Sequence, residues 1–145
     1  MAPFIFLRSI LEGKTININN DGNHRRSFTY IDDITEAIRR LLGYPARANE
    51  EWDSNFPLPN SSNAPWEIYN IGAEKTVELM DFIEILEKKT NIDAKKNFLP
   101  IQPGDVLVTD ADCSDLEEKI NFTPQISIED GLSNFINWYR DYYKI

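Results

Sequence analysis

The chain has one cysteine, one histidine, and no glycines close enough together to build a loop around a phosphate. Cys113 alone leaves no intrachain disulfide and no cysteine-based zinc site, and gives no hint of a secreted disulfide scaffold. His24 alone cannot form a histidine-rich metal site. The six glycines are dispersed, so neither a GxGxxG turn nor a Walker loop is present. No tyrosine is followed four residues later by lysine, and no GxSxG elbow or HExxH pair occurs. No apolar run approaches the ~18–20 residues that span a bilayer. The opening MAPFIFL has no basic start and is interrupted by Arg8, which argues against a signal peptide. The expectation is a cytoplasmic protein that does not engage a membrane.

What is present suits a globular α/β chain. Its 145 residues are 41 % hydrophobic, enough for one region with a core of its own, and that single region is the expectation for residues 1–145. With 24 acidic and 15 basic side chains the net charge is -9, which argues against general nucleic-acid binding. The charge is uneven. Residues 1–30 carry four cations against two acids, a net +2, so the other 115 residues carry -11. A locally basic opening suits a compact anion; it equally suits a solvated face.

Periodicity predicts a helix over Pro3–Glu12 with Phe4, Leu7, Ile10 and Leu11 on one face, stopped by Gly13. Thr15–Asn19 alternates as a strand, Asp21-Gly22 is a turn, and Ser27–Ile31 reads as a second strand. Asp32 or Asp33 is expected to cap a helix through Leu42 whose apolar face is Ile34, Ala37, Ile38, Leu41 and Leu42. Residues 44–65 form a long irregular loop, either a functional lid or a tolerated insertion. Glu67–Ile71 reads as a strand and Thr76 as the cap of a helix to about Thr90. A strand at Asn97–Leu99, a turn at Pro103-Gly104-Asp105 and a short helix from Asp112 follow. Ser127 with Asp130 resembles a capping box, opening a last helix to about Tyr143. The sum is an α/β fold of short strands packed with about five helices.

Several side chains invite chemistry. Asp32-Asp33 could be an acid or metal pair, but the apolar period that follows puts them at a helix N-terminus, where negative charge is favoured. His24 has no identifiable base or orienting partner and reads as a solvated loop histidine. Arg25-Arg26, between a turn and a strand, fits a phosphate clamp or a surface pair, and spacing does not choose between them. Pro103-Gly104-Asp105 can present an amide and a carboxylate to a ribose, or be a simple turn. Trp138 and its tyrosine neighbours fit the core and rim of a helix better than a stacking platform.

Taken in order, RRSFTYIDDI, EIYNIG, VELMDFIEILE, LPIQPGDVLVTDAD and FTPQISIEDGLSNFINWYRDYY resemble the C-terminal part of NAD-dependent nucleotide-sugar epimerases, which are extended short-chain dehydrogenase/reductase proteins. The branch most resembled is UDP-glucuronate 4-epimerase, including capsular-polysaccharide epimerases. The likeness implies the C-terminal substrate-binding portion of an extended Rossmann-type enzyme of polysaccharide biosynthesis. It further implies that the NAD-binding half, with GxxGxxG and the catalytic YxxxK, is missing. The chain is then a truncated product, one piece of a split gene, or a part made on purpose. In the complete family enzyme a tyrosine takes the C4 hydroxyl proton while NAD takes the hydride. The keto sugar then turns about its diphosphate and is reduced on the other face. This chain would hold the UDP anchor and be inert alone, with no catalytic residue, no bound NAD and no metal.

The resemblance also implies substrate contacts. Arg26 matches the diphosphate arginine, with Ser27 standing where the motif carries Asp. Asn17, Ile18 and Asn19 match a strand whose backbone meets the uracil, Asn19 replacing a residue that is often aromatic. Gln102 and Asp105 match the segment near the ribose and phosphates, and Gln102 suits the glucuronate branch. Met1 and Ala2 would abut the diphosphate. The family packs the counterparts of Glu67–Ile71 and Asp32–Leu42 against its Rossmann half. Exposed apolar surface and self-association are therefore expected here. Two other readings stand beside this one: a non-catalytic nucleotide-sugar binding module, and an interaction piece that complements a separate Rossmann chain.

Overall fold

A computed structural model describes Ala2–Ile145. The residues cluster into two compact units. One takes in the chain through Phe28, Lys75–Asp110 and Ile126–Ile145; the other is Thr29–Glu74 with Ala111–Gln125. The α/β class with about five helices is the expectation, and the described residues form five α-helices and short strands.

In the first unit, helix α1 (Ala2–Leu11) buries Phe6, Leu7 and Ile10, the stripe that a 3.6-residue period places on one face. Gly13, at φ +67°, turns the chain out of the helix. Strand β1 (Thr15–Asn19) points Ile16 and Ile18 inward and its alternate residues outward. It pairs in parallel with β4 (Lys95–Leu99), from Thr15↔Lys95 to Asn19↔Leu99. Helix α3 (Leu79–Thr90) supplies Phe82, Ile83 and Leu86 to the same core, and Asn91 closes it in the left-handed conformation. Helix α5 (Ile128–Tyr143) adds Leu132, Ile136 and Tyr139. Ser127 caps its start: Asp130 N donates to Ser127 Oγ at 3.1 Å, and Ser127 Oγ donates to Asp130 Oδ2 at 2.8 Å. A second, three-stranded sheet has β2 (Arg25–Arg26) at its centre, antiparallel to β3 (Val77–Glu78) and parallel to β5 (Val108–Thr109).

The second unit packs α2 (Ile31–Leu41) with α4 (Ser114–Ile120). Ala37, Leu116 and Ile120 are buried, with Leu41, Tyr69, Ile71 and Phe122 around them. Arg40 donates to Asn121 O at 3.0 Å and lies 4.6 Å from the Phe122 ring centroid, tying the two helices at their ends. Arg39 and Arg40 both donate to the Glu36 carboxylate, each at 2.7 Å through Nε. These bonds, Arg39's first, hold Glu36 down from the usual 4.5 to about 2. Residues 44–65 contain turns and one isolated bridge, Ser61↔Glu67, with Phe56 and Leu58 exposed. Among the described residues no helix is long and apolar enough to cross a membrane.

Several expected elements fall elsewhere. The strand expected at Ser27–Ile31 is Arg25–Arg26 instead, because both neighbouring strands are two residues long and the ladder ends with them. Glu67–Ile71 is not a strand. Its backbone meets Asn60 and Ser61 at one end only, and a strand without a continuous partner leaves its amides unpaired. Neither Asp32 nor Asp33 is the cap of α2; Tyr30 holds that position, and the two acids occupy the first turn. There Asp33 is buried and accepts from Gln125 N at 3.2 Å. Thr76 does not cap α3, since β3 intervenes and Glu78 precedes the helix. Asp112 does not begin α4; its carboxylate instead accepts from Ser114 N (3.0 Å) and Ser114 Oγ (2.6 Å) at the helix entrance. The strand expected at Asn97 begins earlier, at Lys95. Of the expected face of α2, Ala37 is buried, whereas Ile38 and Leu42 are 49 % and 81 % exposed.

Two outcomes follow for stability. Leu86 is fully buried, so Leu86→Ala should cost about 2–5 kcal/mol in urea unfolding. Glu36 has a depressed folded value, so its contribution is present above about 4.5 and disappears as pH falls toward about 2. Unfolding measured against pH should therefore be flatter over that window for Glu36→Gln than for the parent chain.

Candidate functional site

The turn predicted at Asp21-Gly22 exists as a 3₁₀ turn over Asn20–Gly22, with Asp21 at φ 50° and Gly22 at φ 85°. A Cβ on Gly22 would lie 2.8 Å from Met80 Sδ, so this turn requires glycine both for its angle and for its closeness to α3. It delivers His24, Arg25 and Arg26 to the middle of the three-stranded sheet. His24 O accepts from Leu79 N at 2.8 Å, and Arg25 N donates to Leu107 O at 2.9 Å. The second turn, Pro103-Gly104-Asp105, closes with Asp105 N donating to Gln102 O at 3.1 Å, with Gly104 at φ 82°.

Between these turns lies a cavity of about 420 Å³ whose lining includes Asn17, Asn19, His24, Arg26, Asp105 and Thr109. The Arg26 guanidinium is held on two sides. Nη1 donates to Arg25 O (2.9 Å) and Leu107 O (3.1 Å), and Nη2 donates to Asp105 Oδ1 at 3.2 Å. Three of the five donors of a guanidinium are thereby committed, and two remain for a ligand. Its side chain is 28 % exposed, against 51 % for Arg25, whose partner is Glu78 at 3.2 Å on the outer surface. The structure therefore separates two arginines that spacing alone left equivalent.

His24 corrects the expectation of a solvated loop histidine: it is 4 % exposed. Its backbone is bonded on both sides, and the strand it leads into carries the ring inward. Nε2 lies 3.2 Å from Asp105 Oδ2 but off the line a hydrogen bond needs, and it has no other partner. No periodic signal in the sequence reaches His24, because the 3₁₀ turn over Asn20–Gly22 interrupts the alternation of the preceding strand.

Of the residues expected at the site, Asn17, Asn19, Arg26 and Asp105 come together at this cavity, as does Ala2. Asn17 Oδ1 also accepts from Asn97 Nδ2 at 2.9 Å, which fixes its amide across the strand pair. Ile18 is buried in the core and Gln102 is exposed; neither lines the cavity. Met1 lies outside the described residues. Thr109 was missed, since a two-residue strand leaves no pattern to read.

A larger cavity, of about 650 Å³, lies in the second unit. Part of its polar wall is paired internally: the Tyr69 hydroxyl donates to Glu67, and Lys119 Nζ lies 3.0 Å from the same carboxylate. The Tyr69 bond, then Lys119, lowers Glu67, while burial and then Glu67 raise Tyr69. The smaller cavity is the better candidate because its cation is held in place from two sides and still has donors left over. The left-handed glycines Gly13, Gly22 and Gly104 sit at a helix end and in two separate turns, and none opens a helix onto a phosphate. Among the described residues no group of three potential metal ligands occurs.

Comparison with known proteins bears on the whole chain. Residues 2–72 match the NAD dependent epimerase/dehydratase family. An uncharacterized 37.6 kDa protein of Escherichia coli O111:H- is 52 % identical over 145 residues, 100 % of this chain and 43 % of that protein. A probable UDP-glucuronate 4-epimerase of Rhizobium meliloti is 39 % identical, covering 99 % of this chain and 42 % of its own length. The crystal structure of UDP-glucuronic acid 4-epimerase from Bacillus cereus, with UDP-glucuronic acid and NAD, superposes with a TM-score of 0.78 at 30 % identity. It covers 99 % of this chain and 40 % of that one. The chain thus spans about two fifths of the length of these relatives. The ordered motifs, the α/β topology and these likenesses agree: the chain is similar to proteins of the NAD dependent epimerase/dehydratase family, whose pattern its residues 2–72 match.

Proposed function

We propose that this chain is the C-terminal, UDP-sugar-holding part of a nucleotide-sugar 4-epimerase that interconverts UDP-glucuronate and UDP-galacturonate. The observation that carries the reading is Arg26, a part-buried guanidinium held on two sides, with two donors left at a cavity. Two parallel hydrogen bonds from a fixed guanidinium suit a diphosphate. Asn17 and Asn19 line the same cavity with amides that can meet a base edge, and Asp105 with a carboxylate that can accept from a ribose hydroxyl. A sugar held only by its diphosphate is free to present either ring face, which a 4-epimerase requires.

NAD supplies the hydride chemistry in a complete enzyme of this family; these residues supply the anchor. They contain neither a glycine-rich cofactor loop nor a tyrosine with lysine four residues on. We place the complete reaction in cytoplasmic polysaccharide biosynthesis, on the strength of the family resemblance. The exposed apolar side chains Ile31, Ile38, Leu42 and Ile68 favour a covering partner. We assign that role to a Rossmann half, carried on the same chain or on a separate one, with self-association as the alternative when none is present.

Calorimetry with UDP tests the anchor. Arg26→Ala should weaken binding by about 1.5–3 kcal/mol, the range for a hydrogen bond to a charged group. Arg25→Ala, which removes an exposed pair, should change it by less than about 1 kcal/mol. Equal affinity for Arg26→Ala and the parent chain would remove the diphosphate role. Incubated with NAD and UDP-glucuronate, the 145-residue chain should form no UDP-galacturonate; turnover without a partner would refute the proposed division of labour.

A further inference from the structure

We infer that His24 is a positioning residue for the anchor: it braces Asp105, and Asp105 braces Arg26. The inference rests on the anchor role proposed for Arg26 and adds the residue that sets its geometry. Asp105 stands between the two side chains. Its Oδ1 accepts from Arg26 Nη2 at 3.2 Å and from Val106 N at 3.0 Å, and its Oδ2 faces His24 Nε2 at 3.2 Å. Backbone carbonyls fix Nη1 of Arg26, but Nη2 has only this carboxylate.

The turn that carries Asp105 needs such a hold. Its neighbours Ile101, Val106 and Leu107 are about half exposed, so core packing does not fix it. His24 can fix it. The ring is buried, and its backbone is tied through His24 N to Gly22 O and through Leu79 N to His24 O, both at 2.8 Å. The 3.2 Å contact is not aligned as a hydrogen bond, but a small turn of the ring would aim Nε2–H at this carboxylate, the one polar group within reach of the buried nitrogen. His24 reaches no ligand through this contact; it acts through Asp105.

The test compares His24→Leu, which removes the donor, with His24→Gln, which keeps one, each also made in an Asp105→Asn background. Two readouts are taken on the full chain: the order of the Arg26 guanidinium by nitrogen-15 NMR, and UDP affinity by calorimetry. His24→Leu should disorder the Arg26 signal and weaken UDP about three- to tenfold, the range for one lost hydrogen bond. His24→Gln should restore both, and His24→Leu should add nothing once Asp105 is Asn. A folded His24→Leu chain with an ordered Arg26 and unchanged affinity overturns the inference. So does a His24→Gln chain that fails as His24→Leu does, since that assigns His24 to packing alone. If His24→Leu does not fold, the parent imidazole decides: an exchange-protected Nε2–H lost in Asp105→Asn supports the brace, and a rapidly exchanging one overturns it. If the NMR pattern holds but the parent chain binds no UDP, the anchor reading fails while the brace stands.

Discussion

The site depends on the pairing of Arg25–Arg26 with strands on both sides. In sequence, Arg26 and Leu107 are 81 residues apart, yet the guanidinium donates to that carbonyl at 3.1 Å. Only the parallel register Arg25↔Val108 and Arg26↔Thr109 allows this, and it also brings the Asp105 turn beside the arginine. A two-residue strand has little stability of its own. Its register is imposed by what flanks it. Phe28 stacks on Phe82 with centroids 4.6 Å apart, and β3 runs straight into α3, whose inner face is core. The hydrophobic packing of the first unit therefore sets the position of a charged group that contributes nothing to that packing.

Electrostatics then distinguishes the two arginines. Each has a carboxylate partner at 3.2 Å, but the Arg25–Glu78 side chains are 51 % and 47 % exposed, whereas those of Arg26 and Asp105 are 28 % and 29 % exposed. Screening makes the outer pair weak. The inner pair lies where water competes less, so its geometry persists and its charge remains available to an incoming anion. Holding the cation in place in advance matters more for binding a flexible diphosphate than adding another surface cation, because the ordering cost has already been met in folding. A chain of net charge -9 needs such a local arrangement, since its long-range field repels anions.

The parts that were readable in the sequence share one property: their signal is local and repeated. Helices α1, α3 and α5 each show several turns of apolar period, and β1 shows strict alternation, with Ser127 marking the start of α5. The parts that were not readable are made by distant partners. Val77–Glu78 and Val108–Thr109 are strands only because Arg25–Arg26 lies between them. His24 is buried because a 3₁₀ turn and α3 close over it, a fact that no window of polar neighbours contains. Glu67–Ile71 shows the opposite failure: an apolar run with strand character that finds only a single bridge. Family resemblance singled out Arg26 and Asp105 separately; the structure adds that one holds the other.

The chain spans about two fifths of the length of the relatives it matches, and its second unit keeps several apolar side chains uncovered. Helix α2 buries Ala37 against Leu116 and Ile120, while Ile31, Ile38 and Leu42 on its other sides are 59 %, 49 % and 81 % exposed. A helix with one partner needs one apolar stripe; apolar residues beyond that stripe imply a second surface to be covered. Ile68 lies in the segment that has strand composition but no strand partner, so it lacks backbone pairing as well as side-chain cover. Both features have the same physical form, an apolar face and a backbone edge open to a partner. On the proposed reading, the sheet of a Rossmann half meets both at once. The Arg26 site needs no such completion for its own geometry, because every contact that orients the guanidinium comes from within the first unit.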